Sequence, residues 1–180
     1  MPAYHSNQIP AKSIANVGLL PLRCTTKFRG PAPRAPPNSE QDVIDEALYF
    51  YRANIFFRNY DIKGDADRTL IYVTLYLQQC LKKLQRTTTK EQGRKEMYSL
   101  AVSPFDIPGD PGFPLNAMYA KPQSRQDADQ MKAYFQQIRH EAGERLLDKV
   151  YDPSTNSLNK WWICYSKRRF MDKSLSAPGQ

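Results

Sequence analysis

Apolar residues recur at helical spacing in several places along the chain, and prolines set off much of what lies between. Val43, Ile44, Ala47, Leu48, Tyr51 and Ile55 form the first stripe. Ser39, with Asp42 three residues on, has capping-box spacing ahead of it, so a helix is expected to begin after Ser39 and to end near Asn59. A second helix, from about Asp65 to Arg86, carries Leu70, Val73, Leu77, Cys80, Leu81 and Leu84 on one side. Ile71, Tyr72, Leu75 and Tyr76 leave it little polar face in its first half, and a helix apolar nearly all round is a buried one. It is predicted to be the central helix. Asp65 and Asp67 at its start, with Lys82, Lys83 and Arg86 at its end, suit the helix dipole.

A shorter helix is expected over about Lys90–Val102. Ser124, again with an acid three residues later (Asp127), opens a long helix reaching about Tyr151. Met131, Phe135, Ile138, Ala142, Leu146 and Val150 are its buried stripe, and the alternating charges on its other face read as solvated surface. Lys160–Met171 (KWWICYSKRRFM) is ambiguous: aromatic and β-branched content allows a strand, while the spacing of Trp161, Cys164, Tyr165 and Arg168 suits a short helix.

Residues 1–38 read as an extended arm, because seven prolines there hold their predecessors in extended geometry. Within it, Val17–Leu22 is apolar enough to dock on the body, and Phe28–Arg34 suits a basic, polyproline-like ribbon. Ser103–Pro122, with five prolines and two glycines, is expected to be a long irregular loop before the fourth helix. The expectation is an all-α fold in a single domain of about five helices: arm 1–38, helical body 39–171 and a flexible tail 172–180.

Composition adds little until charge is considered. Eleven tyrosines, eight phenylalanines and two tryptophans are a surplus of residues that serve interfaces as well as cores. The net charge is +8, with the excess in residues 1–40, 64–101 and 153–180, which suits an acidic partner: nucleic acid, an anionic membrane surface or an acidic protein. No apolar run is long enough to span a membrane. Cys24, Cys80 and Cys164 are odd in number and widely spaced, a poor disulfide framework. A cytosolic protein with free thiols is expected.

Catalytic chemistry finds little support. There is no phosphate-binding loop and no dinucleotide glycine fingerprint. His5 and His140, the two histidines, share no metal-ligand spacing with each other or with a cysteine pair, so no metal is expected. The acid pairs Asp45–Glu46 and Glu141–Glu144 sit beside basic residues and read as solvated helix faces. Nucleic-acid binding has one local footprint, the interleaved aromatics and cations of WWICYSKRRF, but no RNA-recognition sheet motif, Gly-x-x-Gly loop or zinc finger accompanies it.

Several stretches taken together resemble one family. They are MPAYHS (Met1–Ser6), FRGPAPR (Phe28–Arg34), DEALYFYRANIFFRNYDIK (Asp45–Lys63), ADRTLIYVTLYLQQCLKKLQ (Ala66–Gln85), GDPGFPLNAMYAKP (Gly109–Pro122) and KWWICYSKRRFMDKSLSAPGQ (Lys160–Gln180). They are similar to subunit 3, the roughly 21 kDa subunit, of the actin-related protein 2/3 complex. The resemblance implies a helical fold with one enclosed helix and tips Lys160–Met171 toward helix. It also implies a non-catalytic structural role, without cofactor, in an assembly that nucleates branched actin filaments in the cytoplasm and cytoskeleton, including actin-rich cell projections. The implied partners are the other subunits, chiefly the larger actin-related one, and the mother filament at the branch junction, with no nucleic acid and no membrane insertion. Since actin and its relatives are acidic, Arg29, Arg34, Lys167, Arg168 and Arg169 are the candidate interface residues. The alternative from another class is a free, basic nucleic-acid-binding protein.

Overall fold

The computed structural model describes residues 3–176; the last four positions of the expected flexible tail, 177–180, lie outside the described residues. Five α-helices dominate: α1 (Val43–Asn54), α2 (Asp65–Leu84), α3 (Lys90–Val102), α4 (Arg125–Val150) and α5 (Lys160–Ile163). They are joined by one small antiparallel sheet of two strands, β1 (Ser13–Ile14) and β2 (Val17–Gly18), and by 3-10 turns at Cys164–Lys167 and Phe170–Asp172. The fold is therefore predominantly helical, with a hairpin in the arm that the proline pattern did not foretell.

Local chemistry fixes most helix ends. Thr89 and Ser124 cap α3 and α4 through side-chain oxygens that accept from Gln92 N and Asp127 N. The start of α1 differs from expectation by one turn. Asp42 is its cap and Asp45 closes the capping box, whereas the Ser39 hydroxyl donates to Gln41 O. The helix ends at Asn54 rather than near Asn59, since the chain turns after Ile55 to bring Phe57 toward the C-terminal segment, where its carbonyl accepts from Met171 N at 2.9 Å.

α2 packs against α1, α3, α4, β2 and the C-terminal turns. Fifteen of its twenty residues are buried, including Leu70, Ile71, Leu75, Leu77 and Leu81 at 1% exposure or less. Each such side chain contributes roughly 1.5–3 kcal/mol over an exposed position. The Tyr72 ring stacks on Phe135 of α4 with centroids 3.8 Å apart, joining the two longest helices. The irregular stretch after α3 turns Ile107, Phe113, Leu115 and Tyr119 inward.

The arm lies on this body. Val17, Leu19, Leu20 and Leu22 are buried, and Leu22 bridges back to the strand-like stretch at Arg34. The ribbon Phe28–Ala32 is held by Gln137 of α4, which accepts from Ala32 N at 2.9 Å and donates to Phe28 O at 3.1 Å. Farther back, Asn54 exchanges two hydrogen bonds of 2.9 Å with the Tyr4 backbone. Glu46 accepts from Ser6 Oγ and Asn7 N, while Asp67 accepts from Ser6 N and bonds the His5 ring.

Two charge readings need correction. Glu46 is 2% exposed and Glu141 is 5% exposed, so neither sits on a solvated helix face. Glu46 is spent on the arm. Glu141 belongs to a buried ionic centre in which the Arg145 guanidinium bonds both oxygens of Asp42 at 2.7 Å, Asp45 at 3.2 Å and Glu141 at 3.0 Å. A paired, hydrogen-bonded arrangement is the form in which charge survives burial.

Candidate docking surfaces

Lys167, Arg168 and Arg169 follow one another at the end of the first C-terminal 3-10 turn, and all three are exposed. Their position is set from beneath. Asn159 caps α5 by accepting from Trp161 N, and Trp162 goes inward to stack on Tyr51 of α1 at 5.9 Å. Gln78 of α2, itself 1% exposed, then accepts from Phe170 N at 2.6 Å and donates to Lys173 O at 3.1 Å. The three cations are thus carried on a segment anchored at both ends.

Arg29 and Arg34 are also exposed, but they lie on the arm, whose ribbon rests on α4. The five predicted residues accordingly divide between two supports: three lie over α1 and α2, while Arg29 lies in the stretch held by α4 and Arg34 beside Leu22 of the arm. Among the described residues, no carboxylate comes within 4 Å of any of the five. Arg168 instead lies over the Phe56 ring, 5.0 Å from its centroid.

Reading for charge missed the aromatic groups around them. Tyr49, Phe56 and Trp161 are 76%, 56% and 65% exposed. The signal was present at Tyr49, which falls outside the stripe Ile44–Leu48–Tyr51–Ile55 that α1 buries. For Phe56 and Trp161 only the packing distinguishes the outer ring from its inner neighbour.

Titratable groups inside the body serve structure. Burial pushes the Cys80 thiol up to about 12, raises the Tyr72 hydroxyl and raises the Tyr76 hydroxyl well beyond its ordinary range, so these groups stay neutral. His140 is pushed down by burial and by Arg139, and its ring stacks on Phe28 at 4.7 Å, holding the arm. Among the described residues there is no cluster of three or more metal-ligating side chains, and no helix is long and apolar enough to cross a membrane.

A helical body that turns its spare aromatic and basic groups outward, and spends its inner polar groups on fastening its own ends, belongs to the class of proteins that other proteins hold. Comparison with known proteins makes the class specific. Residues 1–175 match the family described as P21-Arc, the ARP2/3 complex ARPC3 (21 kDa) subunit. The chain is 48% identical over 185 residues to the probable actin-related protein 2/3 complex subunit 3 of Caenorhabditis elegans, covering 99% of this chain and 98% of that one. It is 49% identical over 178 residues to the subunit 3 of Schizosaccharomyces pombe, covering 97% of this chain and all of the relative. With that of Saccharomyces cerevisiae it shares 46% over 184 residues, again 97% of this chain and all of the relative. The chain belongs to the 21 kDa subunit family of the actin-related protein 2/3 complex.

Proposed function

We propose that this chain is a non-catalytic structural subunit of the actin-related protein 2/3 complex, working in the cytoplasm and cytoskeleton, including actin-rich cell projections. It binds chiefly the larger actin-related subunit and helps to hold the complex on the mother filament at the branch junction. The observation that carries the reading is family membership across nearly the whole chain. The surface chemistry supports it: five exposed cations without carboxylate partners among the described residues suit an acidic neighbour.

The chain acts as a single domain with α2 at its centre, the arm 1–38 fastened to the body 39–171, and the Pro/Gly-rich stretch before α4 packed inward. Support comes from the burial of α2 against every other helix and from the glutamines Gln78 and Gln137 that grip the two end segments. No cofactor is required, because the role is to position other subunits.

Arg29, Arg34, Lys167, Arg168 and Arg169 are the docking cations. Reconstitution of the complex with Arg168→Glu and Arg169→Glu together tests them. Incorporation or filament attachment should weaken in a salt-sensitive way, with the difference from wild type shrinking as salt rises, since salt screens exposed charges over a Debye length of about 8–10 Å. Unchanged incorporation with unchanged branching would remove these residues from the interface.

A further inference from the structure

We propose that the outer side of α1 together with α5 forms the centre of an interface with an acidic protein surface, and that Tyr49, Phe56 and Trp161 are its anchoring side chains. The proposal rests on the reading of this chain as an assembly subunit. It adds the part of the surface that holds a partner to the cations that steer one.

The three exposed rings stand on an inner aromatic layer. Tyr49 meets Phe50 edge-on at 5.4 Å and Phe56 meets Tyr165 edge-on at 6.0 Å, while Trp161 adjoins the buried Trp162. Their backbones are therefore fixed while their surfaces face outward, the preorganised state that lowers the entropic cost of binding. Basic groups are interleaved with them. Arg52 lies 5.0 Å over Trp162, Lys160 lies 5.3 Å over Trp161 and Arg168 lies over Phe56. Among the described residues, Arg52, Lys160, Lys167, Arg168 and Arg169 have no ion-pair partner, and the nearby Asp172 is shared with Arg58 at 3.8 Å. This excess of positive charge is what commits the partner to being acidic.

Beside Tyr49 an opening of about 520 Å³ is bordered by Leu48, Arg52, Lys149 and Trp162. It is large enough to admit an apolar side chain. Asp45, also at its edge, is already engaged by Arg23 and Arg145, and the remaining edge carboxylate, Glu40, shares that edge with the two cations Arg52 and Lys149. Tyr, Trp and Arg gathered around a pocket are the composition of binding hot spots. A nucleic acid would stack its bases on open ring faces, yet Lys160 and Arg168 already lie over Trp161 and Phe56. That covering favours a protein partner.

The test titrates the full-length chain into the complex assembled without it, comparing Tyr49→Ala, Trp161→Ala and the double variant with wild type. Tyr98→Ala, 62% exposed on α3, is the control. All four variants should melt like wild type, because the replaced rings are exposed. Each single variant at the proposed face should bind about tenfold or more weakly, the double variant weaker still, and Tyr98→Ala within twofold of wild type. A double variant that joins within twofold of wild type would overturn the anchoring role while leaving the assembly reading intact. So would variants that join the complex like wild type yet lose binding to a single-stranded oligonucleotide titrated in parallel. Failure of the wild-type chain to join would overturn the assembly reading and this proposal with it.

Discussion

Asp42 concentrates three tasks in one carboxylate. It caps α1 by accepting from Ile44 N and Asp45 N, takes Arg23 N from the arm at 2.9 Å, and binds Arg145 of α4 through both oxygens. Removing it leaves α1 uncapped, a loss of about 0.5–2 kcal/mol, and takes two charged hydrogen bonds from the Arg145 guanidinium, which keeps Asp45 and Glu141, at a further cost of roughly 1.5–3 kcal/mol. Asp42→Ala should therefore lower the urea midpoint severely, whereas Asp42→Asn, which keeps a capping oxygen, should lose less. Equal losses would mean that the charge at this position contributes nothing. Glu46 makes the opposite kind of contribution. Burial raises its pKa above the ordinary glutamate value of about 4.3, against the lowering effect of its bonds to Ser6 and Asn7. The folded chain then binds more protons than the unfolded one in that window, so the Glu46 contribution falls as pH rises through it. Glu46→Gln should flatten this part of the stability–pH curve, measured by urea unfolding between about pH 4 and 7. A difference from wild type that stays constant across the window would contradict the assignment.

The helices show where hydrophobic periodicity suffices and where it does not. α3 spans Lys90–Val102, the range expected, and Thr89 caps it; α4 begins after Ser124, the cap its sequence implies. Both ends are written within four residues of sequence. At α1 the cap is Asp42 rather than the expected Ser39, and the Asp42 carboxylate is also bound by Arg145, 103 residues away. No local pattern contains that partner. The hairpin at Ser13–Gly18 is hidden likewise: β1 and β2 have two residues each, and the Asn16 side chain at their turn is held by the Ala120 amide at 2.7 Å. The interface cations were legible as charge. Tyr49 was legible only as a gap in the buried stripe of α1, and Phe56 and Trp161 were not legible, because facing outward is decided there by what covers their neighbours. α2 offers the plainest element-level test. Leu77 is fully buried, so Leu77→Asp places a carboxylate among apolar side chains and should abolish folding. A soluble variant with a cooperative melt would show that α2 is not the helix on which the rest depends.

For the whole molecule, the common theme is that both end segments are stitched to the body by buried polar side chains. Asn54, Glu46 and Asp67 hold Tyr4–Asn7, Gln137 holds Phe28–Ala32, and Gln78 holds Phe170–Lys173. Such fastening keeps exposed aromatics and cations in fixed relative positions, which is what a subunit needs in order to join neighbours rigidly. It also separates this account from that of a free polyanion-binding protein, whose attachment depends on counterion release and collapses as salt rises. The most direct test is to purify the tagged chain from cytosol, wash at high salt and identify what remains in stoichiometric amount. The account predicts two actin-related proteins together with the other subunits of the complex. Recovery of the chain alone, or with nucleic acid that salt removes, would contradict it.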